Sequence, residues 1–263
     1  MARVLAIVNQ KGGVGKTTTA VNLATAMAAV GRRVLLIDLD PQGNASTGFG
    51  YSAHERNLTS YDLLVGTATV KRATLPTKVP NLFLIPTTMD LAGAELELVT
   101  EKQRETRLKH ALKGALDDYD YVLIDCPPSL GLLTLNALVA ANSVLIPLQC
   151  EFYALEGLSH LLRTIQLAQA RLNPALDVQG VVLTMYDRRN KLTEQIESDV
   201  REFLQDQVYE TTIPRNVRIS EAPSHGKPAL LYDLNCSGSR AYVKLASEVL
   251  KRERSLRQKE EIA

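Results

Sequence analysis

The sequence predicts an α/β fold: one domain built on a mostly parallel, twisted β-sheet with helices on both faces. Three observations predict it. Short, nearly all-apolar runs, such as residues 4–8, 34–37 and 121–124, suit parallel strands buried on both faces. Segments with helical apolar spacing alternate with them, as at 20–30, 155–167 and 194–205. A glycine-rich stretch, QKGGVGKTTT at 10–19, joins the first strand to the first helix.

That stretch carries the clearest chemistry. Gly12, Gly13 and Gly15 permit a backbone that curls with its N–H groups inward. The following helix turns the positive end of its dipole toward the same anion. With Val14 and Thr18 they complete a loop in which Lys16 reaches β- and γ-phosphates and the Thr17 hydroxyl can ligate Mg²⁺. The commonest phosphate loop, G-x-x-x-x-G-K-[ST], has glycine at position 10; here Gln10 stands there, followed by Lys11. A second lysine fits poorly into its own phosphate cradle, so Lys11 is expected to reach a nucleotide held by another subunit.

Composition sets bounds. The chain has 263 residues, 45% hydrophobic and 22% charged, with net charge +1. Such a core is substantial, and a polyanion-coating protein is disfavoured, although a local basic patch remains open. Three scattered cysteines, Cys126, Cys150 and Cys236, form no C-x-x-C pair and suggest reduced thiols. The opening apolar run is too short for a signal peptide, and no stretch approaches a membrane span.

In chain order, the run at 34–37 ends in Asp38-Leu39-Asp40-Pro41-Gln42-Gly43-Asn44. Carboxylates at a strand's C-terminal end lie where α/β proteins bind ligands, though either aspartate alone also fits a solvated turn. Residues 48–80 read as an irregular excursion with one short helix at 61–64. A strand at 82–85, a helix over 89–99 and another over 104–117 follow. The run at 119–125, YDYVLID, is an apolar strand ending in Asp125, placed to hold Mg²⁺ through water beside Thr17. Cys126-Pro127-Pro128-Ser129 then stiffens the chain. Strands are expected at 143–147 and 178–184, helices from 151 and over 194–205, and, within 211–218, a strand end followed by Pro214 and Asn216. The last helix spans 239–256, and 257–263 reads as a charged, frayed tail beyond a single domain at 1–256.

KGGVGKTT resembles the deviant Walker A loop of the ParA/MinD family of P-loop ATPases. DLDPQGNAS is similar to that family's switch I, DCPPS to its switch II, EFYALEG to a segment bordering its dimer interface, and IPRNVR and SEAPSHGKP to further segments of its ParA/Soj branch. The resemblance covers nearly the whole chain. It implies a P-loop NTPase fold, ATP and Mg²⁺ as cofactors, and Lys11 crossing to the partner's ATP. It further implies that Asp40 positions the attacking water, with Asp38 in a weaker supporting role, and that Pro214 and Asn216 contact the base. Arg189 and Arg218 become the DNA-contact candidates. The start two residues before the first strand resembles the short, chromosomal type. The implied function is a DNA-partitioning ATPase: a nucleotide-dependent homodimer on non-specific double-stranded DNA, released by a ParB-like partner, cytoplasmic and nucleoid-associated.

Three competitors remain. A MinD-like membrane-positioning ATPase needs a C-terminal amphipathic helix, whereas ERSLRQKEEIA offers only Leu256 and Ile262 as bulky apolar residues. An iron–sulfur relative needs paired cysteines, and only Cys126 has suitable context. A non-enzymatic scaffold sits poorly with Lys16, Thr17, Asp40 and Asp125 all in place.

Overall fold

A computed structural model describes the backbone of residues 2–262 and the side chains of 2–254. Its centre is a sheet of seven strands among the described residues: β1 (Arg3–Ile7), β2 (Val34–Asp38), β3 (Leu75–Pro76), β4 (Leu82–Ile85), β5 (Tyr121–Asp125), β6 (Ser143–Gln149) and β7 (Asp177–Thr184). The order is β3-β4-β2-β5-β1-β6-β7, parallel throughout except for β3. β1, β2 and β5 are inner strands, which explains why they read as unbroken apolar runs.

Because side chains alternate along a strand, each apolar run feeds two cores. Val4, Ala6 and Val8 join one, and Leu5 and Ile7 the other. On the Leu5 side lie α1 (Lys16–Ala29), α2 (Asn44–Gly48) and the long terminal helix. On the Val4 side lie α3 (Ser60–Val65), α4 (Val70–Ala73), α5 (Leu91–Glu97), α6 (Arg107–Leu112), α7 (Leu132–Ala140), α8 (Ala154–Arg171) and α9 (Lys191–Leu204). The short α10 (Val217–Glu221) and α11 (Ala229–Tyr232) lead into the terminal helix, α12 (Ser237–Ile262). Tyr242, Leu245 and Val249 of α12 are fully buried against α1 and the sheet, each such side chain contributing about 1.5–3 kcal/mol.

Three local differences from the sequence reading have physical causes. The helix expected over 104–117 ends at Leu112, where Lys113 turns extended at ψ 120°. α7 went unrecognised because LLTLNALVA is apolar on nearly every face and shows little helical period. The strand end expected before Pro214 is only a single parallel bridge, because pairing with the exit of β7 is confined to Ile213 O and Arg215 N on either side of Pro214, both bonded to Tyr186. α12 extends to Ile262, and Ala263 lies outside the described residues.

Candidate functional site

The chemistry-bearing residues converge on the C-terminal edge of the sheet, as the parallel topology requires. β1 runs into the glycine loop, whose Gly15 sits at φ +87° and opens α1. Only glycine takes that backbone readily, and it offers no side chain to cap the helix. The N–H groups of the first turn are therefore left for an anion. Val14 is buried, and the Thr184 hydroxyl at the end of β7 donates to its carbonyl over 2.8 Å. Gly12 and Gly13 are exposed, and Thr17 and Thr18 half-buried.

Lys16 is buried and donates to the Lys11 carbonyl at 2.8 Å. Burial lowers its pKa, while Asp125, Cys126 and Asp40 act in the opposite sense. Lys11 itself is half-exposed and pairs with Glu151, just before α8. Asn9 supports the loop's entry, accepting from Lys11 N at 3.0 Å and donating to Pro147 O at 2.7 Å.

Asp38 and Asp125 end adjacent strands in register, and both are fully buried. Burial pushes the Asp38 carboxyl up to about 6. Asp125 is raised well above the carboxylate range by burial and by Asp38 beside it. Asp38 Oδ2 accepts from Ser46 N (2.8 Å) and Ser46 Oγ (2.7 Å). Both Asp125 oxygens, in contrast, are buried without a hydrogen-bond partner. Thr17 is near enough to favour the ionised carboxyl but is not aligned to satisfy it. Two orphaned carboxylate oxygens, a neighbouring carboxylate and a threonine hydroxyl form an oxygen-rich donor set suited to a hard divalent cation such as Mg²⁺. Asp40, 7% exposed, follows two residues on, with Oδ1 accepting from Gln42 N at 3.0 Å.

Pro214 lies beside the exit of β7, where Tyr186 N donates to Ile213 O at 2.9 Å. The Asn216 side chain is already engaged: Oδ1 caps α10 by accepting from Arg218 N (2.9 Å), and Nδ2 donates to Ser237 Oγ (2.9 Å). Arg189 is exposed and bound to Asp187 at 2.9 Å. Arg218 faces Glu221 at 3.0 Å and Asp233 at 3.7 Å.

A groove of about 1110 Å³ opens here, between the exit of β7, the 210–217 segment and the start of α12. Arg188, Arg189, Arg215, Arg240 and Lys244 line it, all exposed, against Asp187 and Glu210. Arg215, Arg240 and Lys244 were given no role by sequence reasoning. Arg240 and Lys244 lie one helical turn apart on α12, a spacing that marks one helix face but says nothing about which surface that face joins.

A family model described as an AAA domain matches residues 2–178. The chromosome partitioning protein ParA of Caulobacter vibrioides is 61% identical over 254 residues, covering 96% of this chain and 95% of that protein. The sporulation initiation inhibitor protein Soj of Bacillus subtilis is 55% identical, covering 95% and 98%. Among solved structures, cobyrinic acid a,c-diamide synthase from Mycobacterium smegmatis, with bound ATP analog and magnesium, superposes with TM-score 0.85 at 38% identity over 97% of each chain. The synthase activity in that name is that protein's own. Matching relatives across nearly its full length, the chain belongs to the ParA/Soj branch of the ParA/MinD-type P-loop ATPases.

Proposed function

We propose that this chain is a chromosome-partitioning ATPase that binds non-specific duplex DNA as an ATP-dependent dimer. The observation that carries the reading is the exit of β7. Thr184 bonds to the phosphate loop at Val14, and residues 186–189, immediately after it, line the basic groove. One short segment thus touches both the nucleotide loop and the groove.

In this reading Gly12–Thr18 cradle the phosphates, Lys16 neutralises charge on the β- and γ-oxygens, and Pro214 and Asn216 flank the base. One Nδ2 hydrogen and one Oδ1 lone pair of Asn216 remain for a base edge beside its bonds to Ser237 and Arg218. Thr17 and Asp125, the latter through water, would hold Mg²⁺, with Asp38 in support. Mg²⁺, when bound there, would supply neutralisation of the phosphate charge. Asp40 orients the attacking water. Lys11 leaves Glu151 and reaches the partner's phosphates, a charge in trans worth roughly 10³–10⁵ in rate by analogy with arginine fingers. Dimerisation joins two basic grooves, so a chain of net charge +1 acquires a DNA-binding surface only with ATP. A ParB-like partner accelerates hydrolysis and releases the dimer.

The test is binding to non-specific duplex DNA at two salt concentrations with ATP, with ADP and without nucleotide, using Asp40→Ala to hold the ATP state. Tight, salt-sensitive binding only with ATP supports the reading. Absence of binding in every state overturns it and makes liposome sedimentation, the test of a MinD-like activity, the next measurement.

A further inference from the structure

Arg56 lies outside the residues assigned above, yet it is 9% exposed and all its hydrogen bonds go to uncharged oxygens. Nη1 donates to Thr87 O at 2.9 Å, and Nη2 donates to Thr47 Oγ1 at 2.8 Å and Tyr51 O at 2.7 Å. Nε donates to Tyr51 O at 3.2 Å. A buried guanidinium is costly to desolvate, so its placement calls for an account of what it holds.

Two chains of hydrogen bonds start at this group, and each ends at an active-site aspartate. Along the first, Thr47 Oγ1 donates to Gly43 O (3.0 Å), and Gly43 N donates to Asp40 O (2.8 Å), closing the turn that carries Asp40. Along the second, Thr87 N donates to Ser46 Oγ (3.1 Å), which donates to Asp38 Oδ2 (2.7 Å). The packing is tight on the same path: Gly43 sits at φ +64°, and a Cβ there would collide with Arg56 Nη1. Arg56 does not approach the phosphate loop by any of these bonds. It braces the segment between Asp38 and Thr47 from behind.

We propose that Arg56 is a positioning residue for hydrolysis, holding the turn that presents Asp40 while leaving nucleotide affinity alone. The proposal rests on the reading of Asp40 as the group that orients water. Lysine at 56 keeps the charge but not the planar fork, so it cannot serve Thr87, Thr47 and Tyr51 in their present directions.

Steady-state ATPase and ADP binding on the full chain test it, for Arg56→Lys, Thr47→Val and the double variant. Thr47 is exposed, so Thr47→Val cuts one link with little risk to folding if Arg56→Lys is poorly folded. Each single variant is expected to lower kcat about tenfold or more, because small misplacements at the reacting centre are costly. KM for ATP and Kd for ADP should stay within about twofold, since only an interaction of the transition state is lost. The double variant should be no slower than the worse single, because both act on one path. Unchanged kcat in both singles, additive losses, or KM rising in step with the fall in kcat would each overturn the proposal. Asp40→Ala separates the two levels. If it is inactive while Arg56→Lys and Thr47→Val turn over normally, only the role of Arg56 falls. If Asp40→Ala itself turns over at the native rate, the reading of Asp40 falls and takes this proposal with it.

Discussion

Asp38 and Asp125 are register partners at the C-terminal ends of β2 and β5, both wholly buried. Neighbouring carboxylates in a dry site oppose one another's ionisation, and a cation between them resolves the conflict. In the reading proposed above, Mg²⁺ bound beside Asp125 would relieve that opposition.

That relationship predicts a pH-dependent gain in stability from Asp38→Asn. Burial raises the Asp38 carboxyl to about 6 from 3.8. Between those values the folded chain holds a proton that the unfolded chain releases. The stabilisation from that proton is complete below the unfolded value and lost as pH rises through 6. At neutral pH the nucleotide-free protein therefore bears a cost of about 3 kcal/mol from this group. Asp38→Asn should recover up to that amount in urea unfolding at pH 7.5 without nucleotide, and progressively less toward pH 5. It should weaken Mg²⁺-dependent nucleotide binding at the same time. An equal gain at both pH values would remove the assignment.

How much of this was legible follows from where each partner lies in sequence. Asp38 and Asp125 are visible because each ends an apolar strand, and parallel strands deliver their ends to one edge. Lys16 and Thr17 are visible because phosphate chemistry fixes their spacing from the glycines. Ser46, Thr87 and Arg56 are not visible. They come from a five-residue helix, the residue pair after β4 and an irregular excursion, and only the fold brings them together. Likewise Arg189 stands out in a basic run, whereas Arg240 and Lys244 read as ordinary solvated helix positions until α12 packs beside the exit of β7.

Thr184→Val should destabilise the protein without altering its fold. Thr184 is 2% exposed, and its hydroxyl meets the carbonyl of buried Val14. Valine fills the same space but leaves that carbonyl unpaired, which costs about 1–3 kcal/mol. Urea unfolding should show a lower midpoint with unchanged slope. ADP affinity should fall as well, because the phosphate loop loses a tether. A native midpoint would mean that the bond contributes nothing.

In the groove, Arg240→Ala and Lys244→Ala should each reduce the log–log salt slope of DNA binding by about 0.9, if each side chain meets one phosphate. Arg218 offers a contrary manipulation, since Glu221 and Asp233 draw on its charge. Glu221→Gln should remove one of its two opposing charges and tighten DNA binding at low salt, with the gain disappearing as screening increases. Filter binding across a salt series reads both effects. Unchanged slopes for the two α12 variants would move the DNA surface elsewhere.

Lys11 and Glu151 argue for the last prediction. Their ion pair is half-exposed, and beside it Phe152 and Tyr153 are 77% and 63% exposed. Large apolar side chains held in water beside a charge pair suit a surface that is covered in another state. A phosphate oxygen arriving from a second subunit can replace the Glu151 carboxylate on Lys11, while the aromatic pair is buried by the same approach. With Asp40→Ala blocking hydrolysis, ATP should therefore double the mass seen by light scattering. Adding Lys11→Ala should return the protein to monomer while ADP affinity persists, if Lys16 and not Lys11 serves the chain's own nucleotide, as proposed above. Phe152→Ser should weaken the dimer, and with it apparent ATP affinity, while leaving ADP affinity intact. A dimer that survives Lys11→Ala would place the cross-subunit contact elsewhere, and Lys11 would then be no more than the exposed partner of Glu151.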